Sequence, residues 1–142
     1  MILERLRYVF GYLHVPLRRW GQWRARRKLF RERLPVPLSE WAAVCGSGRE
    51  WDAQLCVAIL EAAGRCFGVD ATRIRPEDRL AAELWCPWWR LQAEDFYGEI
   101  NDAVRERGIP CPSPRPERPF DLEKVSIGEI LTHGSALCRK AE

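Results

Sequence analysis

Apolar positions near the start of the chain recur at helical spacing. They follow intervals of three and four residues: Leu3, Leu6, Phe10, Leu13, Leu17 and Trp20. This spacing places them on one stripe of an amphipathic helix, so residues 2–33 are predicted to form one helix or two. Pro16 should kink or break that run, because proline lacks the backbone N–H and clashes with the preceding turn. The stripe could also pair with a second copy of the chain.

Two longer apolar patterns follow in the body of the chain. The first begins near Trp51 and stops before Gly68, which is placed to act as a C-terminal cap. The second predicts a helix over roughly 92–107, ended by Gly108. Their expected buried faces are Trp51, Leu55, Ile59, Ala62 and Cys66 in the first helix and Phe96, Ile100, Ala103 and Val104 in the second.

A short last helix is predicted after Ser126. Ser126 and Glu129 have the spacing of a capping box, in which each side chain bonds the other residue's backbone N–H. Ile127, Ile130 and Leu131 would form the buried face. Gly134 is expected to close this helix.

The segments between these patterns are rich in proline and glycine. A Pro-Val-Pro run ends the first region at residues 35–37, Ser39 could cap a short helix through Val44, and residues 46–48 read as a linker. No stretch alternates as a strand would. The sequence therefore predicts an all-α protein: a basic helical extension over 1–34, a linker over 35–50, a helical domain over 51–134 and a tail over 135–142.

Charge divides the chain into two parts. Residues 1–34 contain ten Arg or Lys against two Glu, a net charge of +8, whereas the remaining residues carry a net charge of −5. A basic arm on an acidic body indicates either two separate roles or an arm that packs against its own body.

The six cysteines are scattered, with no Cys-x-x-Cys pair. Because His14 and His133 lie near opposite ends, ligand spacing for zinc is absent and no metal is expected. The start of the chain lacks a secretory signal pattern, and no apolar run approaches the roughly 18 residues that span a bilayer. Reduced thiols in a cytoplasmic protein, with a peripheral membrane association as a further option, are therefore expected.

Four motifs in the same order resemble those of acyl carrier proteins. Residues 66–70, Cys-Phe-Gly-Val-Asp, are similar to the Leu-Gly-Val-Asp that ends a carrier's first helix. Residues 73–84 resemble the loop before the carrier site, 107–110 the segment after the second helix, and 124–130 the last helix. The resemblance covers about residues 51–133 and implies a small acyl-carrier-like helical bundle.

The attachment residue of that family is missing. Carriers hold phosphopantetheine on a serine at the start of the second helix, and alignment from either side puts Trp88, or else Ala93 or Glu94, in that position. Between Ser47 and Ser113 there is no serine at all. The chain is most similar to a bacterial group of carrier-like proteins of uncharacterised function that have acidic residues there. The resemblance thus implies no cofactor and no catalysis.

Two surfaces of the body are candidate sites for a protein partner with a basic patch. The second helix is acidic, and carriers use this surface to dock partner enzymes; a carboxylate at its start would also cap the helix. A tryptophan cluster precedes it, which could cover the core or form a contact patch. The candidate partner-binding residues are Trp85, Trp88, Trp89, Glu94, Asp95, Glu99 and Asp102.

The basic arm is the third candidate. It combines cations with aromatic residues, so it could bind an anionic membrane surface, bind nucleic acid, or dock on the acidic face of its own domain. The cations concerned are Arg18, Arg19, Arg24, Arg26, Arg27 and Lys28.

The sequence favours a non-catalytic interaction module over an enzyme. No cysteine has a histidine beside it in a recognisable pattern, and there is no Gly-rich phosphate loop. Two alternatives stay open: a genuine acyl or peptidyl carrier with an unusual attachment residue such as Ser113 or Thr72, and an adaptor that binds a membrane surface or nucleic acid through its arm.

Overall fold

The protein is built from five α-helices and one 3-10 turn in the part of the chain that the structure describes. This computed structural model describes residues 17–84, 86, 89–110 and 121–141, without the side chains of 17–19, 89–94 and 141. The elements are α1 (Leu17–Glu32), α2 (Leu38–Cys45), α3 (Ala53–Phe67), the 3-10 turn (Ala71–Arg73), α4 (Trp89–Glu106) and α5 (Ile127–Ala141). The all-α prediction is confirmed. Most of the apolar stripe from Leu3 to Trp20 lies outside the described residues.

Helix α3 is the centre of the fold. It begins at an N-cap, Asp52, whose carboxylate accepts from the Leu55 N–H at 2.8 Å, and it ends at Gly68 in the left-handed conformation with φ 64°. The predicted cap at Gly68 is therefore confirmed. Leu55 and Ile59 are fully buried, and α3 packs against α2, α4 and α5.

Helix α4 packs its apolar face on α3. It starts at Trp89, three residues before the predicted start, and Gly108 follows its end with φ 64°. Phe96 and Ile100 are fully buried, and the Phe96 ring meets Phe67 edge-on with centroids 5.5 Å apart. The period-3.6 pattern thus predicted the buried face of α4 correctly.

Helix α5 begins as predicted and ends later. The capping box is present, since the Ser126 N–H donates to Glu129 Oε2 at 2.8 Å and the Glu129 N–H donates to Ser126 Oγ at 3.2 Å. The prediction that Gly134 closes the helix is wrong: α5 continues to Ala141, and Ser135 and Cys138 are buried. A Cβ at Gly134 would lie 3.0 Å from Leu55 Cδ2, so this glycine permits close approach to α3.

The segment predicted as a linker contains a helix that belongs to the core. Helix α2 starts at Leu38 after Pro37, with no side-chain cap, so the prediction that Ser39 caps it is wrong. Trp41 is fully buried and its Nε1 donates to the Ile74 carbonyl at 2.9 Å. Its ring stacks on Trp51 with centroids 5.8 Å apart and planes 20° apart.

Candidate interaction surfaces

Four carboxylates form a stripe along α4, here called the acidic surface: Asp95, Glu99, Asp102 and Glu106. Their intervals of four, three and four residues keep them on one side of the helix. Because Phe96 and Ile100 hold the opposite flank in the core, the stripe faces outward, with Asp95, Asp102 and Glu106 exposed and Glu99 partly exposed. Glu94 lies in the same helix, with its side chain outside the described part. Because the helix begins at Trp89, Glu94 and Asp95 are more than a turn inside it, and the prediction that a carboxylate there caps its start is wrong.

Two cations reach the acidic surface without neutralising it. Arg65 of α3 lies 3.5 Å from Glu99, and Arg105 lies 3.9 Å from Asp102. All four of these side chains are between 44% and 81% exposed, so each pair contributes little to stability and is weakened by salt. The surface therefore keeps a net negative charge.

The predicted tryptophan cluster cannot be placed against this surface. Trp85 and Trp88 lie outside the described residues, and Trp89 opens α4 with its side chain likewise outside. Its role in partner binding stays a prediction.

The basic arm packs on the body through one face of α1. Phe30 and Arg27 are only 4% and 9% exposed. Arg27 Nη2 donates to the Phe67 carbonyl at 2.7 Å and to the Leu84 carbonyl at 3.4 Å. Of the three options for the arm, the described half thus shows docking on its own domain, at the 67–84 segment rather than on the acidic surface.

An ion pair locks the end of the arm to the body. Arg33 donates through Nη1 and Nη2 to the two oxygens of Asp78, at 2.6 and 2.8 Å, and Asp78 is only 2% exposed. The bond to Asp78 raises the pKa of Arg33. Asp78 Oδ2 also accepts from the Arg75 N–H at 2.8 Å. Sequence reasoning missed this contact, because an aspartate in a Pro-Glu-Asp turn is typical of an exposed loop.

Further arginines join the arm to the body by donating hydrogen bonds to backbone carbonyls across the interface between them. Arg26 Nη1 donates to the Ala82 carbonyl at 3.1 Å. Arg73 donates to the carbonyls of Arg31 and Arg33, and Arg75 to the carbonyl of Leu34. No sequence signal distinguishes these arginines from solvated ones.

Three cations of α1 point away from the interface with the body, and we call them the basic surface: Arg24, Lys28 and Arg31. They recur at intervals of four and three residues, and all three are exposed. Arg18 and Arg19 lie in α1 as well, with their side chains outside the described part. The structure therefore divides the predicted basic residues into an inner set that packs and an outer set that faces solvent.

Several side chains that could bind a metal ion or act as a nucleophile lie within the described residues. No group of three or more His, Cys, Asp or Glu in the described ranges could hold a metal ion. Burial raises the pKa of the Cys56 thiol to about 12 and that of Cys66 to about 11, which keeps both protonated. The Thr72 hydroxyl donates to Asp70 at 2.6 Å, and this bond lowers the pKa of Asp70. Ser113 lies outside the described residues.

Within the described ranges no helix has the length and apolar character that crossing a membrane requires. Comparison with protein-family models, curated proteins and solved structures gives no match to this chain.

Proposed function

We propose that the protein is a non-catalytic, carrier-like interaction module that docks a basic protein partner on the acidic surface of α4. The observation that carries the proposal is the straight stripe of four carboxylates on a helix whose other flank is fixed in the core. A stripe held on a rigid element presents charge with little entropic loss on binding.

The start of α4 supports a module without a prosthetic arm. The helix begins at Trp89, and the eight residues from 86 to 93 contain no serine or threonine. A phosphopantetheine arm needs a hydroxyl in this position in the carriers that the motifs resemble. The chain therefore lacks the group that would make its helix start a carrier site.

Incubation with coenzyme A and a broad-specificity phosphopantetheinyl transferase tests whether the protein lacks an attachment residue for phosphopantetheine. We expect the intact mass to stay unchanged. A gain of one phosphopantetheine group, mapped to Thr72 or Ser113, would instead make the protein a carrier with a relocated arm.

Charge reversal on α4 tests partner docking. The variant Glu99→Lys/Asp102→Lys should lose proteins that the wild type retains in a pull-down at low salt, because complementary charge governs orientation and association rate. The matched control reverses two exposed acids elsewhere, Glu40→Lys/Glu77→Lys, and should retain them. Equal recovery by both variants would rule out the acidic surface.

A second candidate function is favoured by the basic surface, which would bind an anionic surface such as a lipid headgroup layer or a nucleic acid. A triple reversal, Arg24→Glu/Lys28→Glu/Arg31→Glu, leaves the buried Arg27 and Phe30 contacts in place. Binding to anionic vesicles or to duplex DNA that is lost in this variant and at high salt would support the adaptor. If the wild-type protein binds neither anionic vesicles nor duplex DNA, the adaptor function is ruled out.

A further inference from the structure

A cavity of about 370 Å³ lies beside α1, where that helix packs against the segment that joins α3 to the 3-10 turn. Its volume falls within the range of small-molecule sites, roughly 300–1,000 Å³. The helix contributes two cations and one aromatic ring to the wall, and the segment contributes a third cation and one carboxylate. The side chains concerned are Arg27, Phe30, Arg31, Asp70 and Arg73.

Two of these arginines are held in place by neutral backbone carbonyls. Arg27 is only 9% exposed, and its Nη2 donates at 2.7 Å to the Phe67 carbonyl at the end of α3. Arg73 donates to the carbonyls of Arg31 and Arg33. Because a carbonyl accepts a hydrogen bond without cancelling charge, both guanidiniums keep a fixed position and their positive charge.

Arg27 also has a donor without a partner. Its Nη1 is buried and makes no hydrogen bond. Burial lowers the pKa of Arg27, and the positive charge of Arg31 lowers it further. A buried, charged donor that lacks an acceptor is costly, because its hydration is lost without replacement. An acceptor with a negative charge nearby would offset this cost.

The charges around the cavity do not balance. Asp70 is the one carboxylate among the described residues that line it, against three arginines, which leaves an excess of +2. The oxygens of Asp70 already accept from Thr72 and, at 3.1 Å, from Arg73 Nε. Neither Arg27 nor Arg31 takes part in an ion pair between described residues. The cavity is therefore suited to an anion with two negative charges.

We propose that this cavity is a binding site for the phosphate group of a small, soluble phosphate monoester. Such a group carries a charge of about −1.5 to −2 at neutral pH, which matches the excess of positive charge. The forked donors of arginine suit the oxygens of phosphate. The volume also accommodates the organic part of the molecule, since one water in the liquid takes only about 30 Å³, and Phe30 gives that part an apolar wall.

The site is distinct from the acidic surface and from the basic surface. It shares Arg31 with the basic surface, but Arg24 and Lys28 are not among the described residues that line it. The carboxylates of the acidic surface are not among them either. The inference is therefore independent of partner docking on α4, and its failure would leave that function untouched.

Titration calorimetry with glycerol 3-phosphate tests the site. At a constant ionic strength of about 0.15 M, which screens diffuse attraction, the ligand should bind in a single class of site with a dissociation constant of at most about 1 mM. A larger dissociation constant would overturn the proposal. Vesicles of phosphatidylcholine and phosphatidic acid present the same phosphate monoester on a lipid, and binding to these vesicles alone would rule out the soluble ligand.

Substitution of two exposed arginines tests where the ligand binds. Arg31→Gln removes a cation of the cavity and should raise the dissociation constant about tenfold, because a charge-assisted hydrogen bond to phosphate is lost. The matched control, Arg79→Gln, removes an exposed arginine that lies outside the cavity and should leave the dissociation constant unchanged. Far-UV circular dichroism verifies the fold of each variant. Equal effects of the two substitutions would indicate diffuse charge attraction instead of a site.

Asp70→Asn tests the charge balance of the cavity. The substitution removes the one negative charge of the described lining, while the amide oxygen can still accept from Thr72. Affinity for glycerol 3-phosphate should rise severalfold, because a like charge near the phosphate is gone. A folded Asp70→Asn protein with unchanged or lower affinity would place the phosphate outside the cavity and contradict the proposal.

Discussion

At the scale of single residues, Asp78 joins three parts of the molecule. Its carboxylate holds Arg33 at the end of the arm and the N–H of Arg75 in its own turn, while its carbonyl accepts from the Ile127 N–H at the start of α5. A carboxylate that is 2% exposed needs all of its partners, since each lost bond leaves a desolvated charge.

Removal of the guanidinium should therefore destabilise the fold. We expect Arg33→Met to lower the free energy of unfolding by about 2 kcal/mol, less than for a fully buried pair because Arg33 is 29% exposed. Urea unfolding followed by circular dichroism measures the change. The control Arg24→Met, on the exposed basic surface, should stay within about 0.5 kcal/mol. Equal values for the two variants would contradict the role of the Asp78 pair.

Two thiols, the buried Cys56 and the half-buried Cys66, make the fold sensitive to alkali. The pKa of Cys56 is raised to about 12 and that of Cys66 to about 11, so both prefer the protonated form in the folded state. A raised folded-state pKa contributes stability that is full below the unfolded pKa and is lost as pH rises toward the folded value.

Stability should consequently fall from about pH 8.5 upward, toward the raised pKa values. The urea midpoint measured at about pH 7.5 and about pH 10 reports this loss. In a Cys56→Ala/Cys66→Ala protein the midpoint should depend less on pH, although the variant is less stable at both. A pH dependence identical to that of the wild type would assign the loss to other groups, such as Tyr97, whose pKa burial raises to about 12.

At the scale of helices, sequence motifs correctly predicted the features that depend only on residues close together in the chain. The cap at Gly68, the capping box at Ser126 and the buried face of α4 depend on neighbours within one or two turns, and each is confirmed. The prediction that Gly134 ends α5 failed because glycine is common both at helix ends and at close contacts between helices. Only the position of Leu55 in space, next to Gly134, distinguishes the two uses, and that position cannot be read from the sequence.

Glycine substitutions separate these two uses. Gly134→Val should destabilise the fold by about 2 kcal/mol, because the added carbons meet Leu55. Gly98→Ala in α4, where a Cβ would meet nothing within 4 Å, should stabilise it by about 0.5–1 kcal/mol. Thermal melts of both variants measure the shifts. A Gly134→Val protein as stable as the wild type would show that α5 does not approach α3 so closely.

At the scale of the whole molecule, the basic arm packs against the acidic body with part of its cations and exposes the others. The excess of cations in the arm was readable from composition, and the acidic surface followed from helical spacing once α4 was predicted. Which cations pack and which face solvent was not readable, because Arg26, Arg27 and Arg33 are held by carbonyls and by one buried carboxylate distant in the sequence. The arm is thus partly a structural element.

Adjacent residues of α1 measure how much the arm supports the body. Phe30 is 4% exposed and Leu29 is 66% exposed. We expect Phe30→Ala to cost about 3 kcal/mol of unfolding free energy and Leu29→Ala less than about 0.5 kcal/mol. Urea unfolding provides both values. Losses of similar size would show that α1 does not pack as described.

The stacked indoles of Trp41 and Trp51 give this helical protein an optical signature of its own. Two indoles in contact couple their electronic transitions, and a skew between the transition dipoles turns this coupling into a pair of circular dichroism bands of opposite sign. The stack connects α2 to the residue just before the cap of α3, so its contribution, which is separate from that of the Trp20–Trp23 pair with ring centroids 5.3 Å apart, exists only while α2 is packed in place. The difference between the spectra of the wild type and Trp41→Phe isolates this contribution, so assembly of this part of the fold can be followed in time without an attached label.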